Sequence, residues 1–90
     1  MLKPTYTKLF RNELKLMEKR QMDINKLREV MSAIINEEPL PPKRRNHPLH
    51  GEWEGAFDCH IQGDWVLIYE IDPVARTVIF HRTGTHSDLF

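Results

Sequence analysis

Histidine is frequent in this sequence, and several histidines lie near acidic or basic residues. Five histidines occur among 90 residues. His47 follows a proline-rich segment, His60 and Asp64 flank one turn, and Arg82 precedes His86 by four positions. Imidazole has an unperturbed pKa near ~6.5 and acts as a base or an acid near neutral pH, whereas arginine stabilises phosphate charge. These residue types suit cleavage of RNA through its 2′-OH by acid–base chemistry, with no metal and no cofactor.

A zinc site is the competing chemical interpretation. His47-x-x-His50, together with His60 and His86, offers imidazole ligands. The pattern lacks an HExxH motif and a second cysteine beside Cys59, and a proline interrupts the HxxH spacing. Metal binding therefore ranks below acid–base chemistry.

Ordinary structural roles remain open for most of these side chains. A single histidine is more often a surface or capping residue than a catalyst, and we assign His50 and His81 to that class. Arg82 by itself would serve equally well as a salt-bridge partner. Trp65 is expected to pack in the core or on the sheet, although its position beside Asp64 also suits stacking on a base.

Apolar spacing predicts two helices in the first half of the chain. Thr7 is a suitable N-cap for a helix that continues to about residue 20, and Asp23 for a second helix. The second helix carries an apolar stripe at helical intervals, formed by Ile24, Leu27, Val30, Met31, Ile34 and Ile35. The short connection predicts an antiparallel helical hairpin, which Pro39, Pro41 and Pro42 end.

Apolar and alternating runs predict strands in the second half. Residues 57–61, 65–71 and 77–82 are separated by turn residues. Residues 2–6 would form a further strand, which Pro4 restricts to a sheet edge. Consecutive hairpins give an antiparallel meander, and the helix pair would cover one of its faces. The predicted fold class is therefore α+β.

The predicted meander would bring the candidate residues together. In its last strand, alternation places Phe80 and Arg82 on the same face. The start of one strand, the end of its neighbour and the C-terminal tail meet at one sheet edge in such a topology. The residues expected there are His60, Asp64, Arg82 and His86, with His47 delivered by the proline loop.

Two basic clusters stand out against a formal net charge of zero. The first shares one face of the first helix and consists of Lys8, Arg11, Lys15 and Lys19. The second lies in the proline loop and consists of Lys43, Arg44 and Arg45. Zero net charge argues against nucleic-acid binding by overall charge. Local basic patches can still bind phosphates. A solvated helix face is an equally good interpretation of the first cluster.

Length and composition predict a small globular protein. Residues 1–90 are enough for one domain. A single cysteine forms no internal disulfide and favours a reducing compartment. The N-terminal segment lacks the apolar stretch of a signal peptide, and no apolar run approaches the ~20 residues of a membrane span. We therefore expect a cytoplasmic protein without membrane contact.

The motifs from His47 onward resemble the YafQ branch of the RelE toxin superfamily. They are His47-Pro48-Leu49-x-Gly51-x-Trp53-x-Gly55, Asp58-x-His60, Asp64-Trp65-x-Leu67-Ile68-Tyr69 and Arg82-Thr83-Gly84-Thr85-His86-x-x-Leu89-Phe90. Residues 23–38 and the proline loop fit the same pattern. The likeness covers nearly the whole chain, and several motifs in the right order make it specific.

The resemblance implies two N-terminal helices on a small twisted antiparallel sheet. It also implies an endoribonuclease, an mRNA interferase that cuts adenine-rich lysine codons in the ribosomal A site and leaves a 2′,3′-cyclic phosphate. The implied catalytic set is His47, His60, Asp64 and His86, with Arg82 stabilising the phosphate and with Trp65 and Phe90 holding the substrate. His86 would be the general acid, and His47 or His60 the general base.

Partners follow from the same resemblance. They are the 70S ribosome with its mRNA and 16S rRNA, which both basic clusters would contact, and a DinJ- or RelB-like antitoxin. Operator DNA would be bound only through the antitoxin complex. Two alternatives remain: a ParE-like toxin that inhibits gyrase without nuclease activity, and a non-enzymatic partner of an antitoxin in a repressor complex. The histidine set favours the nuclease, because a gyrase inhibitor does not need it.

Overall fold

Helices and strands follow one another in a mixed order along residues 1–90, all of which the computed structural model describes. The regular elements are β1 Lys3–Tyr6, α1 Lys8–Lys19, α2 Ile24–Ile35, β2 His47–Pro48, β3 Phe57–Gln62, β4 Trp65–Asp72, β5 Thr77–Thr85 and α3 His86–Leu89. Short 3₁₀ turns occur at Pro42–Arg44 and Gly51–Trp53. The predicted α+β class is confirmed. None of the helices is long and apolar enough to cross a membrane.

The sheet has five strands in the order β1-β5-β4-β3-β2. The predicted meander is present in β3, β4 and β5, which are antiparallel. The prediction of a wholly antiparallel sheet is wrong, because β1 pairs in parallel with β5 and Lys3 lies opposite Thr77. A parallel pair needs a long crossover, and here most of the chain lies between the two strands. Pro4 lies in β1 at the sheet edge, as predicted.

Both long helices lie against the same face of the sheet. Helix α1 packs against β5 and α2 against β3. The expected hairpin is thus modified, because each helix is held mainly by the sheet, and an apolar groove lined by Phe10, Leu14 and Leu27 separates the two. Their apolar faces join the sheet in one core, whose largest buried side chains include Trp65, Phe10 and Phe80.

The opposite face of the sheet has only a small apolar cover. Val66 and Ile68 of β4 form its floor, and Ala56 and Leu89 pack on them. We call this surface the open face. Leu89 belongs to α3, a short helix in the C-terminal segment where no helix was predicted. Thr85 and Asp88 form a capping box that starts this short helix.

A bulge in β5 changes which side chains reach the open face. Tyr69 pairs with Phe80, but its neighbour Ile68 pairs with Arg82, so His81 is an extra residue on β5. Cross-strand partners share a face, and Ile68 lies on the open face. The prediction that Phe80 and Arg82 share a face is therefore wrong, because the inserted residue shifts the alternation.

The N-cap of α1 ties the helix to the sheet. The Thr7 hydroxyl accepts a hydrogen bond from the Phe10 amide at 2.9 Å and donates one to the His81 carbonyl at 2.8 Å. Asp23 occupies the N-cap position of α2, as predicted, but its side chain makes no capping bond.

Replacement of the two caps should therefore have unequal effects. Thr7→Ala should lower the free energy of unfolding by about 1–2 kcal/mol, because it removes a cap bond and a bond to β5. Asp23→Ala should cost less, about 0.5 kcal/mol, from the helix dipole alone. Urea denaturation of both variants measures the difference, and an equal loss would show that the caps are equivalent.

Candidate active site

Four neighbouring strands place a row of residues across the open face. His47 pairs with Asp58, Asp58 with Ile68, and Ile68 with Arg82. Strands are ~4.8 Å apart, so about 14 Å separates the backbones of His47 and Arg82. The register therefore places His47, Asp58 and Arg82 on one face of the sheet.

A second row brings two imidazoles together. His60 pairs with Val66, which pairs with Gly84 just before α3. The ring centroids of His60 and His86 are 5.4 Å apart. The ring of Phe90 follows at 5.6 Å from that of His86. The predicted convergence of His60 and His86 is present in the structure.

The surroundings of His60 favour one tautomer. Its Nδ1 faces the Gly63 carbonyl oxygen at 3.4 Å, so Nδ1 carries the hydrogen. The other nitrogen, Nε2, then carries the lone pair and can accept a proton. His86 has no ring hydrogen bond within the chain, and its side chain is exposed. In this pair, Nε2 of His60 can accept a proton, and the ring of His86 is free of hydrogen bonds within the chain.

Both ring nitrogens of His47 face oxygen atoms. Nδ1 donates to the Arg45 carbonyl at 2.7 Å, and Nε2 lies 3.4 Å from Asp58 Oδ1. The Asp58 side chain is 2 % exposed, and Oδ1 has no hydrogen-bond partner. Asp58 Oδ1 therefore lies close to Nε2 of His47 without forming a hydrogen bond to it.

Asp58 is a site residue that was not predicted from the sequence. It entered only as part of the motif Asp58-x-His60, and the supporting carboxylate was expected at Asp64. The available signal was alternation, which places residues 58 and 60 on the same face of β3. A carboxylate that is buried on such a face needs a cationic or hydrogen-bonding partner.

Asp64 contributes through its backbone. Its carbonyl accepts a hydrogen bond from the His86 amide at 3.0 Å, which attaches the start of α3 to the turn before β4. Its side chain is exposed and makes no hydrogen bond or ion pair within the chain. The expected contact between the Asp64 carboxylate and a histidine is therefore absent from this structure.

Arg82 is held by α1. Its Nη2 and Nε lie 2.6 and 3.3 Å from the two carboxylate oxygens of Glu13. One of these oxygens also accepts from the Thr83 amide at 3.3 Å. The side chains of Arg82 and Glu13 are 23 % and 13 % exposed. The salt-bridge role that the sequence left open for Arg82 is therefore present, and its phosphate role stays a prediction.

Helix α3 is anchored at its polar side. Arg20 of α1 donates to Asp88 at 2.8 Å, and the Thr85 amide donates to the same carboxylate. The Arg20 guanidinium holds the pKa of the Asp88 carboxyl well below its usual range. A lowered carboxyl pKa means that the contact is lost only at strongly acidic pH. His86 therefore stays in place throughout the range in which imidazoles titrate.

The two predicted substrate-holding rings lie in different environments. Trp65 is 0 % exposed, and its indole N–H donates to the Thr83 hydroxyl at 2.9 Å. It cannot stack on a base in this conformation, because both of its faces are covered by the core. Phe90 is 62 % exposed and lies beside His86. Of the two, Phe90 is the ring that a nucleotide can reach.

Most of the predicted basic residues are available to solvent. Six are exposed and form no ion pair within the chain: Lys8, Arg11, Lys15, Lys19, Lys43 and Arg45. Arg44 differs, because it is buried and donates to the Ile61 carbonyl at 2.6 Å. In this conformation Arg44 holds the proline loop to β3 and has little surface that RNA could contact.

The remaining histidines have ordinary partners, as predicted. His81 lies 2.9 Å from Glu70 and edge-on to Trp53. His50 lies 3.7 Å from Glu54 on the surface. No group of three or more histidine, cysteine, aspartate or glutamate side chains is arranged to hold a metal ion.

A family model described as the bacterial toxin of a type II toxin–antitoxin system, YafQ, matches residues 2–90. The chain belongs to the YafQ family. A relative, the mRNA interferase toxin YafQ of Escherichia coli K12, is 44% identical over 87 residues, which cover 94% of this chain and 91% of that protein. Family membership confirms the resemblance that was drawn from the motifs.

Solved structures of similar proteins share the fold of this YafQ-family chain. YafQ in the Escherichia coli DinJ–YafQ toxin–antitoxin complex has a TM-score of 0.91 and 40% identity, covering 99% of this chain and 97% of that one. A metal-bound toxin from Helicobacter pylori has a TM-score of 0.93 and 36% identity, with both chains fully covered at 100%. The mixed five-stranded sheet is therefore a fold of known toxins.

Substitution of the two aromatic rings should separate a core role from a surface role. Trp65→Phe should lower the free energy of unfolding by about 2 kcal/mol, because it removes a buried hydrogen bond and leaves a cavity. Phe90→Ala should change it by no more than about 0.5 kcal/mol. Urea denaturation provides both values, and a stable Trp65→Phe protein would contradict the buried assignment.

Proposed function

We propose that this YafQ-family toxin cuts mRNA in the ribosomal A site by metal-independent acid–base catalysis. Because the chain is a close relative of named mRNA interferases, it is an endoribonuclease. The observation that carries the finer proposal is the pair of imidazoles on the open face, with ring centroids 5.4 Å apart. Two such rings are enough to accept one proton and donate another around a single phosphate.

His60 is the proposed general base. Its Nδ1 is occupied by the Gly63 carbonyl, which leaves Nε2 to take the proton of the attacking 2′-OH. His47 is less suited to that step, because its Nε2 faces the buried Asp58 carboxylate at 3.4 Å rather than open solvent. We assign His47 to binding or charge stabilisation, which narrows the choice that the sequence left open.

His86 is the proposed general acid. It is exposed, adjacent to His60 and held in place by α3. Its proton would pass to the departing 5′ oxygen, and the 2′-oxygen would close a 2′,3′-cyclic phosphate. Arg82 would stabilise the phosphate charge, and Phe90 would stack on a base beside the cut. Asp64 would support α3 through its backbone.

The basic residues are proposed to bind ribosomal RNA, and they lie on two surfaces. Lys43 and Arg45 belong to the loop that delivers His47, and the Arg45 carbonyl accepts a hydrogen bond from that imidazole. On a helical wheel, Lys8, Lys15 and Lys19 point away from the core side of α1, which carries Phe10 and Met17. If both sets bind RNA, the 16S rRNA contacts two surfaces of the protein. The ribosome would then determine which codon is placed at the catalytic residues. We propose adenine-rich lysine codons.

A cognate antitoxin is the second proposed partner. YafQ of Escherichia coli forms a complex with DinJ, and a DinJ- or RelB-like protein is proposed here, with operator DNA bound only through that complex. Since a related Helicobacter pylori toxin is described as metal-bound, the chemistry must be tested with and without a chelator.

The decisive experiment is cleavage of a message with a lysine AAA codon in the A site of purified ribosomes. The wild type should cut at that codon at an equal rate in the presence of a chelator that removes transition metals and leaves the Mg²⁺ of the ribosome, and His86→Ala should be slower by roughly 10²–10⁴-fold. His50→Ala is the matched control, because that histidine is exposed and away from the pair. Absence of cleavage by folded wild type would favour gyrase inhibition or a purely repressive complex.

Salt dependence should reveal the helix contacts with rRNA. Lys15→Gln should reduce the slope of log affinity for ribosomes against log salt by about 1, because one phosphate contact is lost. The rate of cutting at saturation should be unchanged. Lys3→Gln, an exposed lysine on β1, is the control and should leave the slope as it is. Identical slopes for the two variants would remove the basic face of α1 from the interface.

A further inference from the structure

Glu13 forms an ion pair with Arg82 and has no role in the chemistry proposed above. The carboxylate contacts Nε and Nη2 of the guanidinium, which is the side-on arrangement of two parallel hydrogen bonds. We propose that Glu13 is a positioning residue for Arg82, and that it fixes the guanidinium so that its other edge faces the scissile phosphate. This inference rests on the proposed nuclease function.

Glu13 itself is rigidly placed. Its residue lies on α1 near Phe10 and Met17, both of which are buried. Its carboxylate also accepts from the Thr83 amide at 3.3 Å. Strand β1 ends opposite Phe80, so no strand covers the edge of β5 beyond that point. Glu13 occupies that uncovered edge and satisfies a backbone donor there.

The geometry leaves Arg82 with donors to spare. A guanidinium has five N–H groups, and Glu13 engages one on Nε and one on Nη2. The edge formed by Nη1 and Nη2 keeps two parallel N–H groups, which match two phosphate oxygens. Arg82 pairs across the sheet with Ile68 on the open face, so this edge can serve the site.

Fixing the guanidinium in advance should aid the chemical step more than it aids binding. A free arginine loses rotamer entropy when it meets the phosphate, and a misplaced one stabilises the transition state poorly. The negative charge of Glu13 opposes binding of an anion, so its removal should not weaken substrate affinity. The positioning role therefore predicts a lower rate without a higher KM. If Glu13 instead kept Arg82 away from the substrate, removal of its charge would raise the rate.

The test compares Glu13→Gln with Glu18→Gln in single-turnover cleavage on programmed ribosomes. Both residues are on α1, and Glu18 is exposed without an ion pair, so the charge change is matched. Glu13→Gln should reduce the rate at saturation on the order of 10- to 100-fold with KM unchanged or lower. Glu13→Asp, which keeps the charge, should recover part of the rate, and Glu18→Gln should match the wild type.

A double mutant separates positioning from a general loss of structure. If Glu13 acts through Arg82, Glu13→Gln should have no additional effect on the rate in an Arg82→Ala background. Full additivity, or a Glu13→Gln rate equal to or above that of the wild type, would overturn the inference. Failure of the wild type itself to cut would instead refute the proposed nuclease function.

Discussion

The hydrogen bonding of β4 to β3 and β5 is the interaction on which the rest of the structure depends. β4 is buried on both faces, with Trp65 in the helix-side core and Val66 and Ile68 beneath the open face. Its register fixes which residues lie side by side above that floor: His60 beside Val66, and Arg82 beside Ile68. A shift of one residue would turn these side chains to the other face, so core packing and site geometry are set together.

Two carboxylates with little solvent exposure lie beside basic side chains of the site. Asp58 lies against His47, and Glu13 holds Arg82. Arg82 offsets the desolvation cost of Glu13 through two hydrogen bonds, whereas Asp58 Oδ1 lies near the His47 imidazole without a hydrogen bond. The His60–His86 pair differs, because no carboxylate contacts either ring. That difference leaves these two imidazoles as the groups that can exchange protons with a substrate.

Elements with a local periodic pattern were predicted correctly from the sequence. The two long helices followed from apolar spacing and caps, and three strands followed from alternation. It did not predict the parallel pairing of β1, because the partner strand lies more than 70 residues away. The bulge at His81 was also missed, since alternation alone gives no sign of an inserted residue. The same limit explains the site: His60 and His86 were found from their types, whereas Glu13 was missed because its partner is 69 residues distant.

The central claim is that His60 and His86 serve as base and acid on one phosphate. The most direct measurement is the pH dependence of single-turnover cleavage in the A site for the wild type, His60→Ala and His86→Ala. The account predicts a bell-shaped profile for the wild type. His60→Ala should lose the rise on the acidic side, and His86→Ala should lose the fall on the alkaline side. Two variants that keep both limbs of the bell would contradict the account.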